Sequence, residues 1–157
     1  MRFSREISLA ADPGRVWEYL SDVRRVAGAL VGSQEIREVI PHQRYEASVD
    51  ERVGPFRMRF PLQIDVVEAV PPRRLKAEAS GRDPTTGNSL HVTFELAVQK
   101  AAKGTRLSLD GDIEVRGTLA ALAQGLIRQR TESTMERFAG ALRRDLEGDP
   151  PRRSRPR

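Results

Sequence analysis

Apolar residues recur at intervals of three and four along the segment from Gly117 to Leu146. This spacing places them on one stripe of an α-helix, and the stripe comprises Leu119, Leu122, Leu126, Ile127, Met135, Phe138, Leu142 and Leu146. Charged residues such as Glu132 and Arg143 occupy the opposite face. A helix of roughly 30 residues is about 45 Å long, so we predict that it packs along an equally long partner surface.

The beginning of the chain predicts one strand followed by two short helices. Apolar and polar residues alternate from Arg2 to Leu9, as in a half-buried strand. Asp12 can accept hydrogen bonds from the first turn of a helix, and Pro13 occupies a position where its missing N–H costs nothing. Asp22 begins the second short helix, which we expect to end at Gly32.

Between Ser33 and Gly117 the period changes to two, and six further strands are predicted. The strands follow one another through short turns, so they form an antiparallel sheet with one apolar face and one face turned to water. Pro61 interrupts the longest alternation and lacks a backbone donor, which indicates a sheet edge or a bulge at that point.

The predicted order is one strand, two short helices, six strands and a long helix, which is an α+β arrangement. A seven-stranded curved antiparallel sheet wrapped around the C-terminal helix buries all the apolar faces. This order resembles the helix-grip arrangement of START-like proteins, in which the sheet and the helix enclose a cavity. We predict such a ligand-binding domain for residues 1–148, followed by a disordered basic Arg/Pro tail at residues 149–157.

The predicted inner face of the sheet carries several small residues: Ala47, Ala77, Ala79, Gly81 and Gly111. They are compatible with a hollow interior that receives a ligand. They are equally compatible with a filled interior, in which small residues allow the helix to approach the sheet closely.

Composition and charge narrow the range of functions. The chain contains no cysteine, which excludes disulfides, thiolate metal sites and cysteine nucleophiles. Its net charge is +5, but most basic residues alternate with acidic ones, so nucleic-acid binding is not favoured. The tail is different, because a run of arginines there is suited to weak contact with an anionic membrane surface: Arg152, Arg153, Arg155 and Arg157.

Hydropathy predicts neither a signal peptide nor a membrane span. The first residues are too polar for a signal sequence, and no apolar run reaches the length that a bilayer requires. We therefore expect a cytoplasmic protein, with peripheral contact to the inner membrane face as the alternative.

Few residues have the pattern of a catalytic or metal site. His42 and His91 are expected in a turn and on an outward strand face, without partners at metal-ligand spacing. Glu51 is the one acid that strand parity places on the apolar face, where it is either a ligand-binding acid or a strand-end residue that reaches water. Gln129 and Arg130 are either polar groups at a cavity mouth or solvated helix residues. We expect no catalysis and no metal.

The predicted inner face nevertheless contains a set of side chains suited to a flat apolar ligand. The alternative is that these side chains pack on one another. The candidate ligand-binding residues are Tyr45, Glu51, Phe56, Met58, Phe60, Phe94, Leu109, Leu122, Leu126 and Met135.

Six short motifs, taken together in their order and spacing, resemble a known family. They are Tyr45-x-Ala47, Val53-Gly54-Pro55-Phe56, Pro71-Pro72-Arg73, Gly104-Thr105-Arg106-Leu107, Val115-x-Gly117-x-Leu119-Ala120 and Leu126-Ile127. From Phe3 to Leu146 the chain resembles the CoxG family, which takes its name from the CoxG subunit of carbon monoxide dehydrogenase. In place of a Pro-Gly pair that is usual in the family, this chain has Leu30-Val31-Gly32.

The resemblance implies a helix-grip fold without catalytic residues. It also implies an accessory role, in which the protein helps a molybdenum hydroxylase-type dehydrogenase or a similar oxidoreductase to associate with the membrane and to exchange electrons with the quinone pool. No cofactor is implied beyond a bound quinone or lipid. The alternative hypothesis is a polyketide cyclase or aromatase on the same fold, with Glu51 or Tyr45 acting on a substrate.

Overall fold

The protein is described by a computed structural model that covers residues 1–31 and 35–147. The description excludes the side chains of Val31, Glu51, Val53, Phe56, Met58, Leu119 and Leu122. The predicted basic tail at residues 149–157 and the predicted helix end at Gly32 lie outside the described residues.

Seven strands form one antiparallel sheet with the spatial order β1-β7-β6-β5-β4-β3-β2. The predicted fold class is confirmed: two short helices follow the first strand, and the sheet curves around a C-terminal helix. The elements are β1 (Arg2–Leu9), α1 (Pro13–Ser21), α2 (Val23–Val31), β2 (Ile36–Ile40), β3 (Arg44–Val53), β4 (Phe56–Val70), β5 (Arg74–Arg82), β6 (Ser89–Ala101), β7 (Gly104–Arg116), α3 (Thr118–Leu122) and α4 (Gln124–Leu146).

The C-terminal helix is two helices, and the prediction of one continuous helix from Gly117 to Leu146 was wrong. The chain leaves helical geometry at Ala123, which has φ −130° and ψ 22° and separates α3 from α4. Gly125 follows at once, and glycine costs about 1 kcal/mol relative to alanine inside a helix. The break therefore lies close to a residue of low helical propensity. Across the described residues, no helix combines the length and the apolar character that a membrane crossing requires.

The C-terminal half of α4 is fixed to the sheet and to α1. Its apolar stripe is buried, and Phe138 and Leu142 are fully inaccessible to solvent. The Tyr19 hydroxyl of α1 donates a hydrogen bond to Asp145 Oδ2 at 2.9 Å, and Arg15 Nη1 donates to the Leu146 carbonyl at 3.2 Å. Apolar burial thus supplies the stability of this contact, and the hydrogen bonds set its register.

The β3–β4 hairpin extends beyond its neighbour β5. β4 pairs with β3 from Phe56 onwards, whereas its pairing with β5 begins only at Leu62, opposite Gly81. Pro61 therefore lies at a local edge on the β5 side, in agreement with its missing donor. The bulge of β4 lies elsewhere, between Val66 and Glu68.

Two glycines of the inner face give space to aromatic rings of adjacent strands. A Cβ atom at Gly81 would lie 2.5 Å from the Pro61 carbonyl oxygen and 2.6 Å from the Phe60 ring. A Cβ atom at Gly111 would overlap the Phe3 ring. An aromatic ring that covers a strand glycine is a known means of stabilising a curved sheet. At these two positions the small residue serves close packing and does not create a hollow.

We predict that Gly81→Ala destabilises the fold by about 1–3 kcal/mol, because the new methyl group meets a backbone oxygen that cannot move without disturbing β4. Chemical denaturation measures this change. The matched control is Gly140→Ala, since a Cβ atom at this exposed position of α4 meets nothing within 4 Å. The control should gain up to about 1 kcal/mol from helix propensity. Equal effects of the two substitutions would contradict the packing assigned to Gly81.

Candidate functional site

A cavity of about 220 Å³ lies between the concave face of the sheet and the helices α2 and α4. The buried core consists of two clusters, one around Phe138 and Leu142 and the other around Tyr45 and Phe60. Residues of both clusters line the cavity. The cavity thus occupies the boundary at which the two halves of the core meet.

The described side chains that the sheet contributes to this cavity are all apolar. They come from alternate positions of the strands, as expected for one face of a pleated sheet. Ala77 and Ala79 lie near the middle of β5, where their short side chains leave space. The strand residues of the lining are Phe3, Val49, Leu62, Ile64, Leu75, Ala77, Ala79, Leu90, Val92, Phe94, Leu109, Ile113 and Val115.

The helices close the other side. The apolar face of α2 contributes Val23, Val26, Ala27 and Leu30. From α4 the lining includes Ile127, Arg130, Thr131, Thr134 and Met135. All the described polar residues of the lining therefore belong to α4.

Three of the predicted ligand-binding residues line the cavity: Phe94, Leu109 and Met135. Phe60 is not in the lining, and its ring lies over Gly81. Leu126 packs against the turn of the β3–β4 hairpin, where a Cβ atom at Gly54 would lie 2.6 Å from Leu126 Cδ1. Four further candidates have side chains outside the description: Glu51, Phe56, Met58 and Leu122.

Tyr45 is buried in the second core cluster and is absent from the cavity lining. Its hydroxyl donates a hydrogen bond to Glu38 Oε2 at 3.1 Å. Burial, reinforced by this bond, raises the pKa of Tyr45 to about 12. The His42 backbone N–H also donates to Glu38, and this bond together with the tyrosine hydroxyl lowers the pKa of the Glu38 carboxyl. In the structure Tyr45 thus joins β3 to β2 by a hydrogen bond and does not line the cavity.

The two polar helix residues named from the sequence are in different environments. Arg130 is half-buried and lines the cavity, whereas Gln129 is exposed on the other side of α4. Thr131 is buried, and its hydroxyl donates a hydrogen bond to the Ile127 carbonyl at 2.8 Å. Thr134 is half-buried one turn after Arg130.

The histidines and the tryptophan do not belong to the cavity lining. His42 is an exposed turn residue with φ 60°, and His91 is exposed with Nε2 3.8 Å from Glu78 Oε1. Trp17 packs partly buried against the first core cluster. Among the side chains that the structure describes, no group of three or more acids and histidines is arranged to hold a metal ion.

Sequence reasoning omitted the contribution of α2 and the hydroxyl groups of α4. Val23, Val26 and Leu30 fall within the predicted second short helix but were not proposed as ligand contacts. The contribution of α2 depends on how far the sheet curves beneath the helix, which periodicity does not specify. The sequence could have identified Thr131 and Thr134 as candidates, because each lies one helical turn after another residue of the cavity lining.

Comparison of the sequence with protein families gives one match. Residues 6–147 match the model of CoxG, the carbon monoxide dehydrogenase subunit that gives the family its name. No curated protein sequence matches the chain significantly.

Solved structures show the same helix-grip fold at low sequence identity. A conserved protein from Geobacillus kaustophilus has a TM-score of 0.76 at 18% identity, over 93% of this chain and 93% of that chain. A putative uncharacterized protein from Rhizobium leguminosarum has a TM-score of 0.67 at 15% identity, over 92% and 95%. An aromatase/cyclase from a Streptomyces species has a TM-score of 0.69 at 17% identity, over 99% and 96%. At such identities the likeness concerns the fold alone.

We predict that both tyrosines of the chain titrate near pH 12 in the folded protein. Burial and the hydrogen bond to Asp145 raise the pKa of Tyr19 to about 12, as burial and Glu38 do for Tyr45. In the unfolded chain both should titrate near pH 10. Because the folded state favours the protonated hydroxyl, this contribution to stability is complete below about pH 10 and is lost as the pH rises towards 12.

Tyrosinate absorbance measured against pH tests this prediction, with the protein in strong denaturant as the reference. Tyr45→Phe and Tyr19→Phe should each remove one of two high-pH transitions. A transition near pH 10 in the native protein would contradict the burial of the corresponding hydroxyl.

Proposed function

Because the chain belongs to the CoxG family of carbon monoxide dehydrogenase subunits, we propose that it is a non-catalytic small-molecule binding protein. Its ligand is a quinone, a lipid or another apolar compound. It acts as an accessory factor for a membrane-associated oxidoreductase. The cavity between the sheet and α4 is the observation that carries the proposal.

The volume of the cavity limits what it encloses. Pockets for drug-sized ligands measure roughly 300–1,000 Å³, and this one measures about 220 Å³. The enclosed part of the ligand is accordingly a small ring system or a short acyl segment. A longer isoprenoid or acyl chain extends out of the cavity.

The lining supports binding without catalysis. General acid–base chemistry at neutral pH depends on groups such as histidine or carboxylate with a pKa near the working pH. The described polar groups of the lining are the Arg130 guanidinium and the hydroxyls of Thr131 and Thr134, and none of them is a histidine or a carboxylate. Apolar burial of the ligand supplies most of the binding energy.

The family name links the protein to carbon monoxide dehydrogenase, and a carrier of apolar redox molecules fits such a system. In this proposal the protein helps an oxidoreductase to associate with the membrane and to exchange electrons with the quinone pool. The basic tail contacts acidic headgroups through Arg152, Arg153, Arg155 and Arg157, each contributing roughly 1 kcal/mol near the surface.

We predict that the protein purified from its own host carries an apolar ligand in about a one-to-one ratio. Native mass spectrometry gives the stoichiometry, and mass spectrometry of an organic extract gives the identity. Protein that is empty, and that also fails to bind quinone analogues and short-chain lipids on reconstitution, would contradict the proposal.

We predict that Ala77→Leu weakens ligand binding at least about tenfold, since the larger side chain enters the cavity from the buried centre of β5. The free energy of unfolding should change by less than about 1 kcal/mol, because the cavity accepts the added carbons. The same substitution in a filled core would cost about 1–3 kcal/mol.

Ala97→Leu is the matched control, because Ala97 is half-exposed between the buried residues Leu96 and Val98 and so lies on the opposite face of the sheet. It should leave binding unchanged. Strong destabilisation by Ala77→Leu with intact binding would exclude this cavity as the ligand site.

A further inference from the structure

The described hydrogen-bonding groups of the cavity lie on one wall. Arg130, Thr131 and Thr134 line the cavity from α4, whereas the described lining residues of the sheet and of α2 are apolar. Residues four positions apart on a helix are neighbours, so Arg130 and Thr134 are adjacent on this face of α4. Within the described part of the lining, a ligand therefore meets polar groups only towards α4.

This wall is rich in donors. A guanidinium has five N–H donors and no acceptor, so Arg130 can keep a partner within the protein and still donate to a ligand. The Thr131 hydroxyl already donates its proton to the Ile127 carbonyl. The Thr134 hydroxyl has no hydrogen-bond partner among the described residues, and its proton remains available.

The donors lie on the more exposed side of the cavity. Arg130 and Thr134 are half-buried, whereas Thr131 and Met135 on the same face are buried. A ligand that reaches both regions has its polar end near solvent and its apolar end inside, between the helix and the alanines of β5.

We propose that the ligand is an amphipathic molecule whose polar end is an oxygen acceptor, held by Arg130 and Thr134, while its apolar body lies against the sheet. This inference rests on the proposed binding function and adds a selection rule. Anionic oxygen groups are preferred, neutral oxygen groups are accepted, and cationic amphiphiles are rejected by the guanidinium charge.

Displacement of the neutral fluorescent probe N-phenylnaphthylamine tests this rule. The competitors are decanoate, decanol and decylamine, which share one chain length and differ in the polar group. We expect decanoate to bind about tenfold more tightly than decylamine, with decanol between them, because hydrogen bonds to a charged group are stronger than neutral ones.

Two substitutions test which residues cause the preference for decanoate. Arg130→Met replaces the guanidinium with an unbranched apolar side chain. It should remove the difference in affinity between decanoate and decylamine. Thr134→Val preserves shape and should weaken decanoate and decanol about threefold relative to the probe. Arg137→Met is the control, because Arg137 is an exposed arginine of the same helix and does not line the cavity.

The outcomes separate this inference from the proposed function. If the probe binds and the three competitors displace it equally, the inference is wrong and apolar binding stands. If Arg137→Met abolishes the preference as Arg130→Met does, the preference arises from the general charge of the helix and the inference is wrong. If the probe itself does not bind to the wild-type protein, the proposed function fails.

Discussion

The packing of the C-terminal half of α4 against the sheet is the contact on which the rest of this structure depends. Phe138 and Leu142 are withdrawn from solvent completely, and α1 holds the same end of the helix through Tyr19 and Arg15. A helix that is fixed at one end does not need close contact with the sheet along its whole length. The N-terminal half can therefore cover a cavity, because the energy that holds the helix is supplied elsewhere.

Small residues of the sheet have two distinct uses in this protein. The rings of Phe60 and Phe3 pack over Gly81 and Gly111, and this packing stabilises the curved sheet. Ala77 and Ala79 instead line the cavity. Ala47 is buried in the second core cluster and lies outside the cavity lining. The size of a residue alone does not show whether it borders the cavity or is covered by a neighbour. The difference depends on whether the neighbouring strand places an aromatic ring over it.

The asymmetry of the cavity gives the proposed function its chemical content. The apolar surface of the sheet can bind any apolar molecule of suitable size, because the hydrophobic effect is not directional. Selectivity requires directional groups, and these are supplied by α4 through Arg130 and Thr134. The helix that completes the fold is therefore also the element that we infer to read the polar end of the ligand.

The sequence by itself determined the order of the strands and of the two short helices, the antiparallel sheet and the buried face of strands such as β1 and β7. β1 has its predicted bounds from Arg2 to Leu9, and the family resemblance agrees with the match over residues 6–147. These features follow from local periodicity, which is written in neighbouring residues. The break at Ala123 was not predicted, because an apolar stripe continues across it and only the packed chain shows the change of direction.

Only the tertiary structure decided which buried side chains border a cavity and which fill the core. Phe60 and Phe94 have the same strand parity, yet Phe60 covers a glycine and Phe94 lines the cavity. Parity assigns a side chain to a face of the sheet. Whether that side chain meets another atom or open space depends on the curvature of the sheet and on the rings of the paired strands, and a local sequence pattern encodes neither.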